Sequence, residues 1–94
     1  MVALRARLRA GERVTGALVR MPAEELVEML AVAGHDFVLI DCEHGPADVI
    51  ALRTHLALAD AHGLPVLVRP GEGEYRLAQR ALDHGAAGVV APHV

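Results

Sequence analysis

The chain has 94 residues, 53% of them hydrophobic but only 2% aromatic, and a net charge of −3. A single domain of this size buries only about 60–65% of its unfolded surface, in a core of Val, Leu, Ile, Ala and Met. Acids and arginines interleave without a basic patch, which argues against a nucleic-acid surface, and no apolar run approaches the roughly 20 residues of a membrane span.

The predicted elements follow in chain order, punctuated by glycines. An amphipathic helix over about residues 2–10 stops at Gly11, and a first strand spans Val14 to Val19. Pro22 suits a first helical turn, and AEELVEMLAVA places apolar residues at 26, 27, 29, 30 and 32 before Gly34. Asp36 to Asp41 is the second strand. Pro46 opens a helix through VIALRTHLALADAH that closes at Gly63. PVLVR, Pro65 to Arg69, is the third strand, YRLAQRALDH the next helix, and AGVVA, Ala87 to Ala91, the fourth strand. Continuous apolar strands alternating with helices predict a parallel sheet covered by helices. The fold class is α/β. Four βα repeats suit either a small doubly wound sheet or the first half of a TIM (β/α)8 barrel.

Chemistry in either architecture gathers at the carboxyl ends of the strands. Those ends carry Arg20, then Asp41, Cys42, Glu43 and His44, then Arg69, and finally His93, whereas the opposite ends carry Gly, Pro and Ala. The asymmetry points to a rim for an anionic, carboxylate-bearing ligand, since guanidinium pairs with carboxylate through a two-pronged fork. All nine basic residues are Arg and Ser is absent, so lysine Schiff-base and serine-nucleophile chemistry are excluded within the chain.

His44 is the candidate general base, weighed against an ordinary loop histidine. Arg69 reads as a ligand-facing charge or as one half of a salt bridge to Asp41 or Glu43; the two are compatible. Asp41, Glu43 and His44 make a poor chelate by themselves, because near-adjacent residues rarely hold one ion. Cys42, the lone cysteine, suits a buried filler and a reducing cytoplasm.

Taken together, AGHDFVLIDCEHGPAD, PVLVRP and ALDHGAAGVVAPHV resemble the HpcH/HpaI aldolase family, which comprises class II, metal-dependent pyruvate aldolases on a (β/α)8 barrel. The resemblance runs over nearly the whole chain. It implies retro-aldol cleavage of a 2-keto-3-deoxy (4-hydroxy-2-oxo) acid to pyruvate and an aldehyde by a cytoplasmic homo-oligomer. By the same resemblance His44 is the catalytic base, and Arg69 holds pyruvate and stabilises its enolate. Asp83 raises the basicity of the histidine, and Asp41 sits beside the aldehyde portion of the substrate. Because Asp83 falls at a helix end, either that helix stops earlier or the contact joins two subunits. The family's divalent metal (Mg²⁺, Mn²⁺ or Co²⁺) is held by Glu and Asp on later strands, so its expected ligands lie beyond Val94. Residues 1–94 are therefore expected to be the N-terminal part of such a barrel. The alternative is a catalytically incomplete fragment, or an oligomerising half-barrel, that binds small carboxylates without turnover.

Overall fold

A computed structural model describes residues 3–21, 23–42 and 49–92. Eight elements alternate along the chain: α1 (Leu4–Arg9), β1 (Gly16–Val19), α2 (Glu24–Val32), β2 (Phe37–Asp41), α3 (Val49–Ala61), β3 (Val66–Arg69), α4 (Tyr75–Asp83) and β4 (Gly88–Val89). The strands form one parallel sheet in the order β1-β2-β3-β4, each paired with the next in the chain. Among the described residues no helix is long and apolar enough to cross a membrane.

Strand periodicity divides the sheet into two unlike faces. Val19, Val38, Ile40, Val66 and Val68 are buried against Val27 of α2, Leu52, Leu56 and Ala59 of α3, and Leu77 and Ala81 of α4. Fully burying each such aliphatic side chain contributes about 1.5–3 kcal/mol, which makes this layer the source of cohesion. The other face presents Leu18, Leu39 and Leu67 in one register row; Leu18 is exposed and the other two are half-buried.

The helix α1 lies at the amino-terminal end of the sheet, where buried Leu4 shares a cleft with Leu56, Leu64 and Val66. Its six residues have no side-chain N-cap and are too short to be stable alone. Asp36, just before β2, supplies the tether. Arg7 Nη2 donates to Asp36 Oδ1 at 2.7 Å, and the Thr15 backbone N–H donates to Oδ2 at 2.8 Å. These two donors hold the Asp36 carboxyl below the ordinary carboxylate range, the Thr15 N–H contributing most.

The strands are shorter than the apolar runs that predict them. β1 begins at Gly16 rather than Val14, because the Thr15 N–H is spent on the Asp36 side chain. β4 has two residues, flanked by backbone bonds from Ala87 N–H to Val66 O (2.8 Å) and from Val90 N–H to Val68 O (2.9 Å). The residues 43–48, which hold the predicted start of α3 at Pro46, lie outside the described ones.

Candidate functional site

Register carries three charged residues to one place. Val19 lies opposite Ile40, and Asp41 opposite Arg69. Arg20, Asp41 and Arg69 therefore form a row across the carboxyl ends of β1, β2 and β3. By alternation they share the face of Leu18, Leu39 and Leu67, opposite the helices.

The contacts within the row are unequal. Arg69 Nε donates to Asp41 Oδ1 at 3.2 Å and Arg69 Nη2 donates to Oδ2 at 2.6 Å, a bidentate fork. Arg20 Nε stands 3.7 Å from the same Oδ2, an ion pair beyond hydrogen-bond length. The Asp41 side chain is 0% exposed, Arg69 27% and Arg20 58%. The backbone N–H of Cys42 donates to the Arg69 carbonyl at 2.8 Å, carrying the β2–β3 pairing past the strand end and fixing the two side chains in step. An isolated buried carboxylate would be prohibitively costly; the Arg69 fork and the charge of Arg20 offset part of that cost for Asp41.

The neighbouring Cys42 is buried as well. Burial first, then the charges of Asp41 and Glu74, push its thiol up to about 11. It is a protonated filler at neutral pH, not a nucleophile.

Of the residues singled out from the sequence, Asp41 and Arg69 come together directly. His44 and Glu43 lie outside the described residues. Asp83 is the exposed last residue of α4, a helix that runs all the way to that position and returns the chain to the amino-terminal end of β4. It is thus at the opposite end of the sheet from the Asp41–Arg69 pair. Arg20 is the addition. Its place at a strand end was visible in the sequence, but its ion pair with Asp41 depends on the β1–β2 register.

Among the described residues no group of three or more His, Cys, Asp or Glu could hold a metal ion. Both oxygens of Asp41 are engaged by guanidinium, which a cation would have to displace. The described residues do not fit the divalent ion that the resemblance implies.

Residues 15–94 match the model of the HpcH/HpaI aldolase/citrate lyase family. A pyruvate aldolase of Rhizobium etli is 34% identical over 88 residues, covering 94% of this chain and 35% of the relative. The crystal structure of the citrate synthase SbnG superposes with a TM-score of 0.92 at 33% identity, over 100% of this chain and 38% of that one. An HpcH/HpaI aldolase from Desulfitobacterium hafniense DCB-2 gives a TM-score of 0.83 at 31% identity, over 95% of this chain and 35% of that one. The chain spans about a third of the length of the curated relatives it matches. Its parallel βα repeats match those of HpcH/HpaI aldolase structures, which are of the TIM-barrel type. With a sheet of this topology, a charged row at its carboxyl edge and a family match that reaches from Thr15 onwards, the chain belongs to the HpcH/HpaI aldolase/citrate lyase family.

Proposed function

We propose that this chain carries the carboxylate-holding portion of a pyruvate aldolase site. In the complete catalytic unit that site cleaves a 4-hydroxy-2-oxo acid of the 2-keto-3-deoxy type into pyruvate and an aldehyde. The observation that supports the reading best is the Asp41–Arg69 fork at the carboxyl edge of the sheet. It fixes the Arg69 guanidinium beside the open face, where a planar 2-oxo acid carboxylate would be received.

In the cleavage, a base removes the proton of the C4 hydroxyl, and the freed electron pair becomes the aldehyde carbonyl. The C3–C4 bond breaks, and its electrons pass to the enolate of pyruvate, which is then protonated at C3. His44 is the proposed base, and Arg69 the fixed positive charge beside the enolate oxygen. Asp41 holds Arg69 and borders the space for the aldehyde portion. Asp83 is remote from Asp41 within one chain, so its support of His44 would come from a neighbouring subunit, and the proposed unit is a homo-oligomer. A divalent metal (Mg²⁺, Mn²⁺ or Co²⁺) belongs to the proposal through the family, with ligands outside residues 1–94.

The test is pyruvate release from a 4-hydroxy-2-oxo acid by the purified chain, with Mn²⁺ or Mg²⁺ and with EDTA, alongside circular dichroism. EDTA-sensitive release that disappears in Arg69→Ala supports the aldolase reading. A folded chain that neither releases pyruvate nor binds it counts against the reading. A folded chain that binds pyruvate through Arg69 without turnover is the second reading, a binding half-site. That reading rests on the same fork, which can hold a carboxylate whether or not turnover follows.

A further inference from the structure

The two arginines of the rim are not equivalent. Arg69 is committed to Asp41 through two hydrogen bonds, whereas Arg20 meets the same carboxylate only at 3.7 Å and is more than half exposed. At that distance Arg20 contributes charge to the row without contributing a directed bond. Counted by themselves, Arg20, Asp41 and Arg69 sum to one positive charge, and Arg20 is the member that tips the sum. Whatever else Asp41 and Arg69 touch, taking Arg20 away makes the rim one unit more negative.

We propose that Arg20 is a positioning residue of the anion site, supplying through Asp41 the surplus positive charge that lets Arg69 accept a 2-oxo acid carboxylate. The inference rests on the reading of Arg69 as the carboxylate holder and adds a residue which that reading does not require. Without Arg20, an incoming carboxylate meets an ion pair already neutral within the row. With it, the carboxylate brings the row to neutrality. The Leu18, Leu39 and Leu67 row lies one alternation below the arginines on the same face, an apolar floor for the ligand body. Arg20 stands two strands from Arg69, roughly 10 Å by ordinary strand spacing. At that range one unit charge near a protein surface changes anion affinity by roughly fivefold at low salt.

The experiment is a pyruvate titration of the folded chain, followed by the arginine Nε–H resonances, at low and at high salt. It compares the wild type with Arg20→Gln, Arg20→Lys and Arg20→Glu, with melting curves to establish that each is folded. The expected result is a roughly fivefold weaker Kd for Arg20→Gln at low salt and a larger loss for Arg20→Glu. Arg20→Lys recovers most of the affinity, and the differences narrow at high salt as the charge is screened. Wild-type affinity in Arg20→Gln at low salt would overturn the inference while leaving the role of Arg69 standing. So would an Arg20→Lys variant as weak as Arg20→Gln, since a purely structural role would not follow charge. If the wild type shows no pyruvate response at Arg69, the proposed function and this inference fall together.

Discussion

The ring of Phe37 occupies the space where a β-carbon on Gly16 would have to lie. The two residues are register partners across β1 and β2, and Phe37 is the only phenylalanine in the chain. A side chain at position 16 therefore has to displace an aromatic ring, the kind of overpacking that costs about 1–3 kcal/mol. Gly16→Ala is expected to lower stability by that amount in urea melts. In Gly16→Ala/Phe37→Ala the glycine substitution should cost little, because the double-mutant cycle removes the clash.

Arg69→Ala is expected to destabilise the fold by about 3 kcal/mol, because it removes both hydrogen bonds of the fork from the buried Asp41 carboxylate. Asp41→Asn should cost less, since both guanidiniums have solvent exposure and can turn to water. Equal losses in paired denaturant titrations would show that the carboxylate is less dependent on Arg69 than its burial implies. Arg69→Ala is also expected to abolish pyruvate binding.

Asp36 should give the fold an acid limb. Its carboxyl is held below the ordinary range by the Thr15 N–H and Arg7. Its charged form therefore adds stability that is fully present above the unfolded carboxylate pKa of about 3.9 and is lost as the pH falls through the lower folded value. Asp36→Asn should melt at a lower temperature than the wild type at pH 7, and the gap should begin to narrow only below about pH 4. A pH-independent gap in calorimetry would assign the effect to shape, not to charge.

Cys42 should be silent in the native state. With its thiol raised to about 11, the thiolate fraction at pH 8 is about a hundredfold below that of an ordinary cysteine, even before burial hinders access. Ellman's reagent is expected to label the folded chain negligibly and the urea-unfolded chain to one equivalent. Rapid labelling of the native protein would contradict the burial.

Much of the architecture can be read from local pattern. Each helix ends at a glycine, and Gly11, Gly34, Gly63 and Gly85 all take positive φ, the conformation that makes glycine the natural stop there. The apolar runs likewise locate all four strands. The strand ends are less legible because they depend on tertiary partners: the Thr15 N–H is taken by the Asp36 side chain, and β4 has only β3 beside it among the described strands. The site divides in the same way. Arg69 with Asp41 is legible as a salt bridge because both end buried strands, and the register then makes the pair bidentate. The approach of Arg20 to Asp41 and the grip of Arg7 on Asp36 link distant segments, and no local periodicity encodes them.

The order β1-β2-β3-β4 means that spatial neighbours are also neighbours in synthesis. Each of these strands after β1 pairs with the one made just before it, across separations of 21 to 28 residues. Loop closure is met in similar instalments of one βα unit each, separations at which parallel pairing is slow and leaves a strand edge exposed until the next unit arrives. Protease protection of stalled nascent chains should accordingly rise stepwise, one βα unit at a time, whereas a single late jump would indicate that the sheet assembles only as a whole. Each βα unit is thus a unit of pairing as well as of chain order.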